Sequence, residues 1–236
     1  MKKYEMTSNI KEFLGHKLFQ IRALKDFGDV KAGDFGGYIE KEENLSQYGN
    51  SWVYDNVKVY DNAKVFCDAQ VHDNALIYSN ARIFDKAKVY GNTWVCGNAL
   101  IYDNAQIYND AEVFDNAQVY GNAQIYDSAS VYGNARVFDD AQVLGNARIC
   151  GNARICGNAR VCGDSDYICF KGFGSENRNT TMFRIKNGDI CVCCGCFRGS
   201  LKEFEEKVKE THGNTKYAKE YLVCIDAAKI HFEIDD

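Results

Sequence analysis

From Val53 to Val161 every sixth residue is Val or Ile, nineteen positions without an exception. Two residues before each stands a small residue, Ala at nearly every unit from Ala63 to Ala159, with Thr93 the one change in that run. The unit reads aliphatic, aromatic, Asp or Gly, Asn, Ala, polar, as in Val119-Tyr120-Gly121-Asn122-Ala123-Gln124. A period of six fits neither the 3.6-residue helix nor the heptad. Long alternating strands joined by turns of varied length are missing too, which excludes an antiparallel sheet. Within a unit, the small residue and the aliphatic point to one side and the residue between them to the other. The Asp/Gly-Asn pair turns the corner, since Gly and Asn tolerate positive φ. Wall, corner and wall, repeated in this way, form a β-helix.

On these residues the chain resembles the hexapeptide-repeat, left-handed β-helix family, in which three hexads make a coil. The resemblance implies a left-handed, parallel, mainly-β prism of triangular section, with six full coils and one extra hexad. At about 4.8 Å per strand it would stand roughly 30 Å tall. The chain then divides into an N-terminal cap with a degenerate first coil (1–52), the β-helix (53–164) and a small C-terminal module (165–236). In the cap, Lys17 to Leu24 reads as a strand and Asp26 to Gly37 as a turn region without a phosphate-loop pattern. The run Asp26 to Gly33, with Gly36-Gly37-Tyr38-Ile39 and Asn44-Leu45-Ser46, resembles the opening of β-helix proteins of phages and prophages. In the module, Asp164 to Asn179 reads as a connection, and Met182 to Cys194 as a hairpin around Asn187-Gly188. Ser200 and Glu203 form a capping box for one helix. A second helix follows from about Thr215.

Composition bounds the function. The net charge of −5 is too mild to imply an electrostatic partner, and a nucleic-acid role is not expected. No run approaches the 18 apolar residues of a membrane span. Met1-Lys2-Lys3 leads into no apolar leader segment, so the eleven cysteines are expected as reduced thiols in the cytoplasm.

The aromatics that follow each aliphatic form stacked ladders, and the Asn residues form stacked amide columns; both are structural devices. One wall departs from the pattern. Leu76 and Trp94 replace the usual Lys, Gln or Arg, beside a column of Tyr60, Tyr78, Cys96 and Phe114, with Leu100 nearby. A contiguous apolar patch around a Trp marks an interface with a protein partner, a host protein or a second copy in a homo-oligomer. In the last coil Leu144, Cys150, Cys156 and Cys162 replace aromatics, leaving room for the following segment, and Arg148, Arg154 and Arg160 are expected to meet carboxylates or solvent. Cys191, Cys193, Cys194 and Cys196 with His212 would have to converge to hold zinc; on a strand Cys194 faces away from Cys191 and Cys193, so packed thiols are expected. The hexapeptide family's acyl transfer uses a His base and an extruded loop. The repeat carries neither, and His72, its one histidine, sits in a ladder position. The expectation is therefore a non-enzymatic scaffold without cofactor or metal, phage-type and binding a host defence protein. Self-assembly is the alternative, and a divergent acyltransferase the third reading.

Overall fold

In the computed structural model, which describes residues 2–234, the period becomes a parallel β-solenoid of about seven turns. Two-residue strands begin every six residues, from Trp52–Val53 to Arg160–Val161, and each pairs in parallel with the strand 18 residues on. Three flat faces result. One carries Lys58, Leu76, Trp94, Glu112, Ser130 and Arg148 outward, the second Gln70 to Arg160, the third Lys64 to Arg154. All nineteen aliphatics and the small residues before them are buried, the aliphatics at 0% exposure, so the interior is one dry column. Thr93 also lies inside, and its hydroxyl finds no partner.

The corners differ from the expectation. The residue with positive φ is the Asp or Gly, as at Asp55, Asp61, Gly91 and Asp103, and not the Asn after it. Asp is used there because its carboxylate also accepts the N–H of the corresponding residue one turn on: Asp73 takes Gly91 N at 2.7 Å, and Asp103 takes Gly121 N at 3.1 Å. The Asn side chains stack as expected, with Asn98 Nδ2 donating to Asn116 Oδ1 at 2.9 Å. So do the aromatics, in runs such as Phe84–Tyr102–Tyr120–Phe138 with ring centroids about 5 Å apart.

At the N-terminal end, β1 (Tyr4–Phe13) and β2 (His16–Ala23) form an antiparallel hairpin that continues through β3 (Phe35–Ile39) into the first solenoid face. The β1 strand was not legible in the sequence because its run Thr7-Ser8-Asn9 breaks the apolar alternation. Tyr38-Ile39 pairs in parallel with Lys58-Val59, and Leu45 bridges Val65, so the first coil starts well before Val53. Tyr4 and Phe27 pack edge-on against the buried Trp52, and Lys3 donates to the Ser51 carbonyl, closing the end of the column.

At the other end a four-stranded antiparallel sheet packs on the last coil. Its strands are Tyr167–Phe173, Arg178–Arg184, Ile190–Cys194 and Phe197–Ser200. The stretch read as a connection thus contains a full strand. The sheet's other side is covered by α1 (Leu201–His212) and α2 (Lys216–His231). Ser200 and Glu203 make the reciprocal capping box, with Glu203 N donating to Ser200 Oγ at 3.2 Å. Among the described residues no helix is long and apolar enough to cross a membrane.

Candidate active site

The β1–β2 turn decides what lies on the first face. Leu14 (φ 49°) and Gly15 (φ 84°) both take positive φ, the two-residue hairpin turn that matches strand twist. Glycine adopts this freely. Leu14 does so at a steric cost, and its side chain stands exposed at the tip. The turn folds Phe13 and His16 down onto the wall, where both rings meet Tyr60, His16 at 4.7 Å and Phe13 edge-on at 6.0 Å.

His16 is thereby brought to two carboxylates that are 24 and 45 residues away in sequence. Its Nδ1 lies 2.9 Å from Glu40 Oε1, and its Nε2 lies 3.8 Å from Asp61 Oδ1. The other Glu40 oxygen accepts the Asp61 backbone N–H at 2.7 Å. A carboxylate accepts only, so in the Glu40 contact Nδ1 is the donor, while Nε2 faces the Asp61 carboxylate. Partial burial alone would raise the Glu40 pKa, but the bonds from His16 and the Asp61 amide hold it below the ordinary carboxylate value. The His16 side chain is 28% exposed. A half-buried histidine hydrogen-bonded to a carboxylate through one nitrogen, with its other nitrogen 3.8 Å from a second carboxylate, is a candidate for proton transfer. The same three side chains lie close enough to chelate a divalent cation, but both oxygens of Glu40 are already bonded within the cluster.

The apolar patch starts where this cluster ends. Tyr60 is covered by the hairpin and only 4% exposed, so it is not a surface residue; burial raises its hydroxyl pKa to about 12. Tyr78 stacks on it at 5.2 Å, followed by Cys96 and Phe114, all half-buried. Leu76 and Trp94 are adjacent register partners in the column beside them, with Trp94 49% exposed. Leu100 is half-buried on a different face, beside Arg82 and Gln118. His16, Tyr78, Leu76 and Trp94 therefore form one surface, polar at the hairpin and apolar below it.

The other sequence candidates separate. His72 stacks between Tyr54, at 4.0 Å, and Tyr90 as a ladder member. Cys191 and Cys193 face the solenoid, Cys194 faces the helices, and Cys196 is exposed. His212 stacks on Tyr221 at 5.7 Å, so these residues do not gather as a zinc set. Arg154 donates to the Gly195 carbonyl at 2.9 Å and Arg160 to Gln142, rather than to carboxylates. Enclosed volume lies elsewhere than the histidine site. Cavities of about 550 and 640 Å³ flank the C-terminal module, lined respectively by residues such as Arg148, Tyr167 and Lys171, and by Cys191, Leu201 and Ile234. Neither of these linings contains a histidine; a third cavity, of about 360 Å³, is lined by His212, Cys194 and Tyr221.

A family model described as YdcK β-solenoid repeat matches residues 117–133, 129–145 and 147–163. The chain is a β-solenoid repeat protein. Over 38 residues the chain is 55% identical to a protein named "Uncharacterized acetyltransferase YdcK" from Escherichia coli (strain K12). The match covers 16% of this chain and 12% of that protein's length. This likeness overturns the expectation of a non-enzymatic scaffold that inhibits a host defence protein, because the relative carries the name of an enzyme. The residues that misled were in the repeat: with no extruded loop and only His72, the coils hold no base. A histidine in contact with carboxylates, His16, lies outside the repeat, on the hairpin laid against it.

Proposed function

We propose that this solenoid transfers an acyl group, most simply acetyl, from a thioester donor to an amine or hydroxyl acceptor, with His16 as general base. The observation that carries the reading is the His16–Glu40 contact of 2.9 Å, with Nε2 3.8 Å from Asp61 and not within hydrogen-bond distance of it, beside an apolar surface. Nε2 would take the acceptor's proton as its nitrogen or oxygen attacks the thioester carbonyl. The thiol then leaves, and the acyl group is transferred. Glu40 and Asp61 face the ring from its two nitrogen edges and offset the charge it gains. Tyr78, Leu76 and Trp94 supply apolar contact for the donor's thioester arm. The name borne by the Escherichia coli relative supports the reaction class. We also infer left-handed winding, on the hexapeptide resemblance alone.

The test is thiol release from acetyl-thioester donors across a panel of amines and alcohols. His16→Gln is expected to reduce turnover by roughly 10²–10⁴-fold, the usual contribution of a general base, with unchanged thermal unfolding. Glu40→Gln should reduce it less and shift the pH profile. Full activity in His16→Gln would remove the base assignment, and no turnover by the unmodified protein with any donor would remove the reaction class.

A further inference from the structure

The C-terminal module meets the solenoid across a line of sulfur. Cys156 occupies the ladder column of Phe84, Tyr102, Tyr120 and Phe138, one coil beyond Phe138. An aromatic there would hold the module away; the thiol instead lets strand Ile190–Cys194 approach. Cys156 Sγ lies 3.0 Å from Cys193 Sγ, and the two residues are 1% and 5% exposed. That separation exceeds the disulfide bond length of about 2.05 Å. It falls well short of the roughly 3.8 Å between two thiolates on a tetrahedral zinc with legs of about 2.3 Å. The two sulfurs are placed to bond to each other and leave no room for a metal between them.

Cys191 lies two residues along the same strand, faces the same way, and lines the 640 Å³ cavity. It could compete for Cys193. Residues i and i+2 of an extended strand, however, are about 6.6 Å apart, at the upper limit for disulfide-bonded Cα atoms. Cys156 approaches from another element and has no such restriction. Around the pair, Arg198 reaches across the seam to Asp139 at 2.8 Å, so a guanidinium lies beside the thiols. The hydrogen bond with Cys193, and then Arg198, lower the Cys156 pKa; Cys191 also bonds Cys193 and Arg198, which bring its pKa down to about 7, and the bonds to Cys156 and Cys191 both raise that of Cys193.

We propose that Cys156 and Cys193 are an oxidation site at which a peroxide forms an intramolecular disulfide, stapling the module to the last coil. The Cys156 thiolate attacks one peroxide oxygen. The O–O bond breaks, the departing hydroxide takes the thiol's proton as water, and a sulfenic acid remains on Cys156. Cys193 sulfur then attacks Cys156 sulfur; the S–O bond breaks, and the hydroxyl leaves with the Cys193 proton as a second water. Two thiols lose two electrons in all, and one hydrogen peroxide becomes two waters. A thiol reductant reverses the bond. The site is independent of the His16 surface, which lies at the other end of the solenoid.

The experiment treats the full chain with limiting hydrogen peroxide, alkylates the remaining thiols, and maps the non-reduced digest by fragmentation mass spectrometry. The expected product joins Cys156 to Cys193 and has two fewer alkylation sites. Unfolding of the module should rise by about 5–10 °C and return after reduction, the scale of a disulfide in a chain this size. Cys191→Ser should keep both effects, and Cys193→Ala should lose both. Mapping on the unmodified chain needs no variant, so a substitution that fails to fold does not blunt the test. Oxidation confined to exposed Cys67, Cys162 or Cys196, a Cys191–Cys193 product, or an equal shift in Cys193→Ala would each overturn the proposal.

Discussion

His72 shows what a single residue contributes to the ladder. It stacks at 4.0 Å on Tyr54 and continues to Tyr90, doing a tyrosine's work with a titratable ring. Burial lowers its pKa below 6.5, partly offset by Asp55 and Asp73. The unfolded chain therefore takes up the proton first as pH falls. The stability this ring contributes is complete above about pH 6.5 and is lost as pH falls through the lowered value. His72→Tyr should unfold at nearly the same temperature as the parent at pH 7.5 and about 1–3 °C higher at pH 5.5, as read by calorimetry. Glu40 follows the usual carboxylate rule: its lowered pKa adds stability above its unfolded value near 4.5, lost below it. The two effects occupy separate windows and can be told apart.

At the scale of the element, the corner explains why Asp and Gly alternate where either would turn the chain. An Asp at the corner pays for a left-handed backbone, and most recover part by accepting an N–H from the next coil, as Asp103 does from Gly121. Asp103→Gly keeps the turn and loses only the hydrogen bond, expected to cost about 1 kcal/mol or less at this exposed position. Asp103→Ala loses the bond and keeps a Cβ at positive φ, so it should cost about 2 kcal/mol. Chemical denaturation of the two variants checks the order, and an Ala variant as stable as the Gly one would contradict this account. The hairpin turn at Leu14-Gly15 obeys the same backbone rule, yet its consequence is chemical, because it sets the His16 ring on Tyr60.

For the whole molecule, the solenoid is a stack in which each coil touches only its neighbours, closed by the hairpin cap and by the C-terminal sheet. Stability is then a sum of local terms, and damage in the middle should divide it. Ile107 is fully buried between Val89 and Ile125. Ile107→Asp is expected to separate unfolding into two transitions, with hydrogen exchange fastest around coils 89–125 while Trp52 and the module stay protected. A single cooperative loss of protection would show tighter coupling than nearest-neighbour stacking allows.

The sequence alone determined the solenoid, the aromatic and Asn columns, the hairpin around Asn187-Gly188 and the α1 cap, while the solenoid's three faces came from the family resemblance. Each of the former follows from a period or a local pattern that repeats the same short-range physics. It did not reveal β1, the strand Tyr167–Phe173 or the corner role of Asp, where alternation is broken or two residue types share a turn. Nor did it reveal the candidate site. His16, Glu40 and Asp61 come from a hairpin, the end of β3 and a coil corner, and only the folding of one onto another brings their side chains within 4 Å. The same holds for Cys156 and Cys193, separated by 37 residues and joined across two packed sheets. Periodicity fixes what a repeat does to its own neighbours; the contacts of the two candidate sites are made where the repeat meets other elements, and those are set by packing.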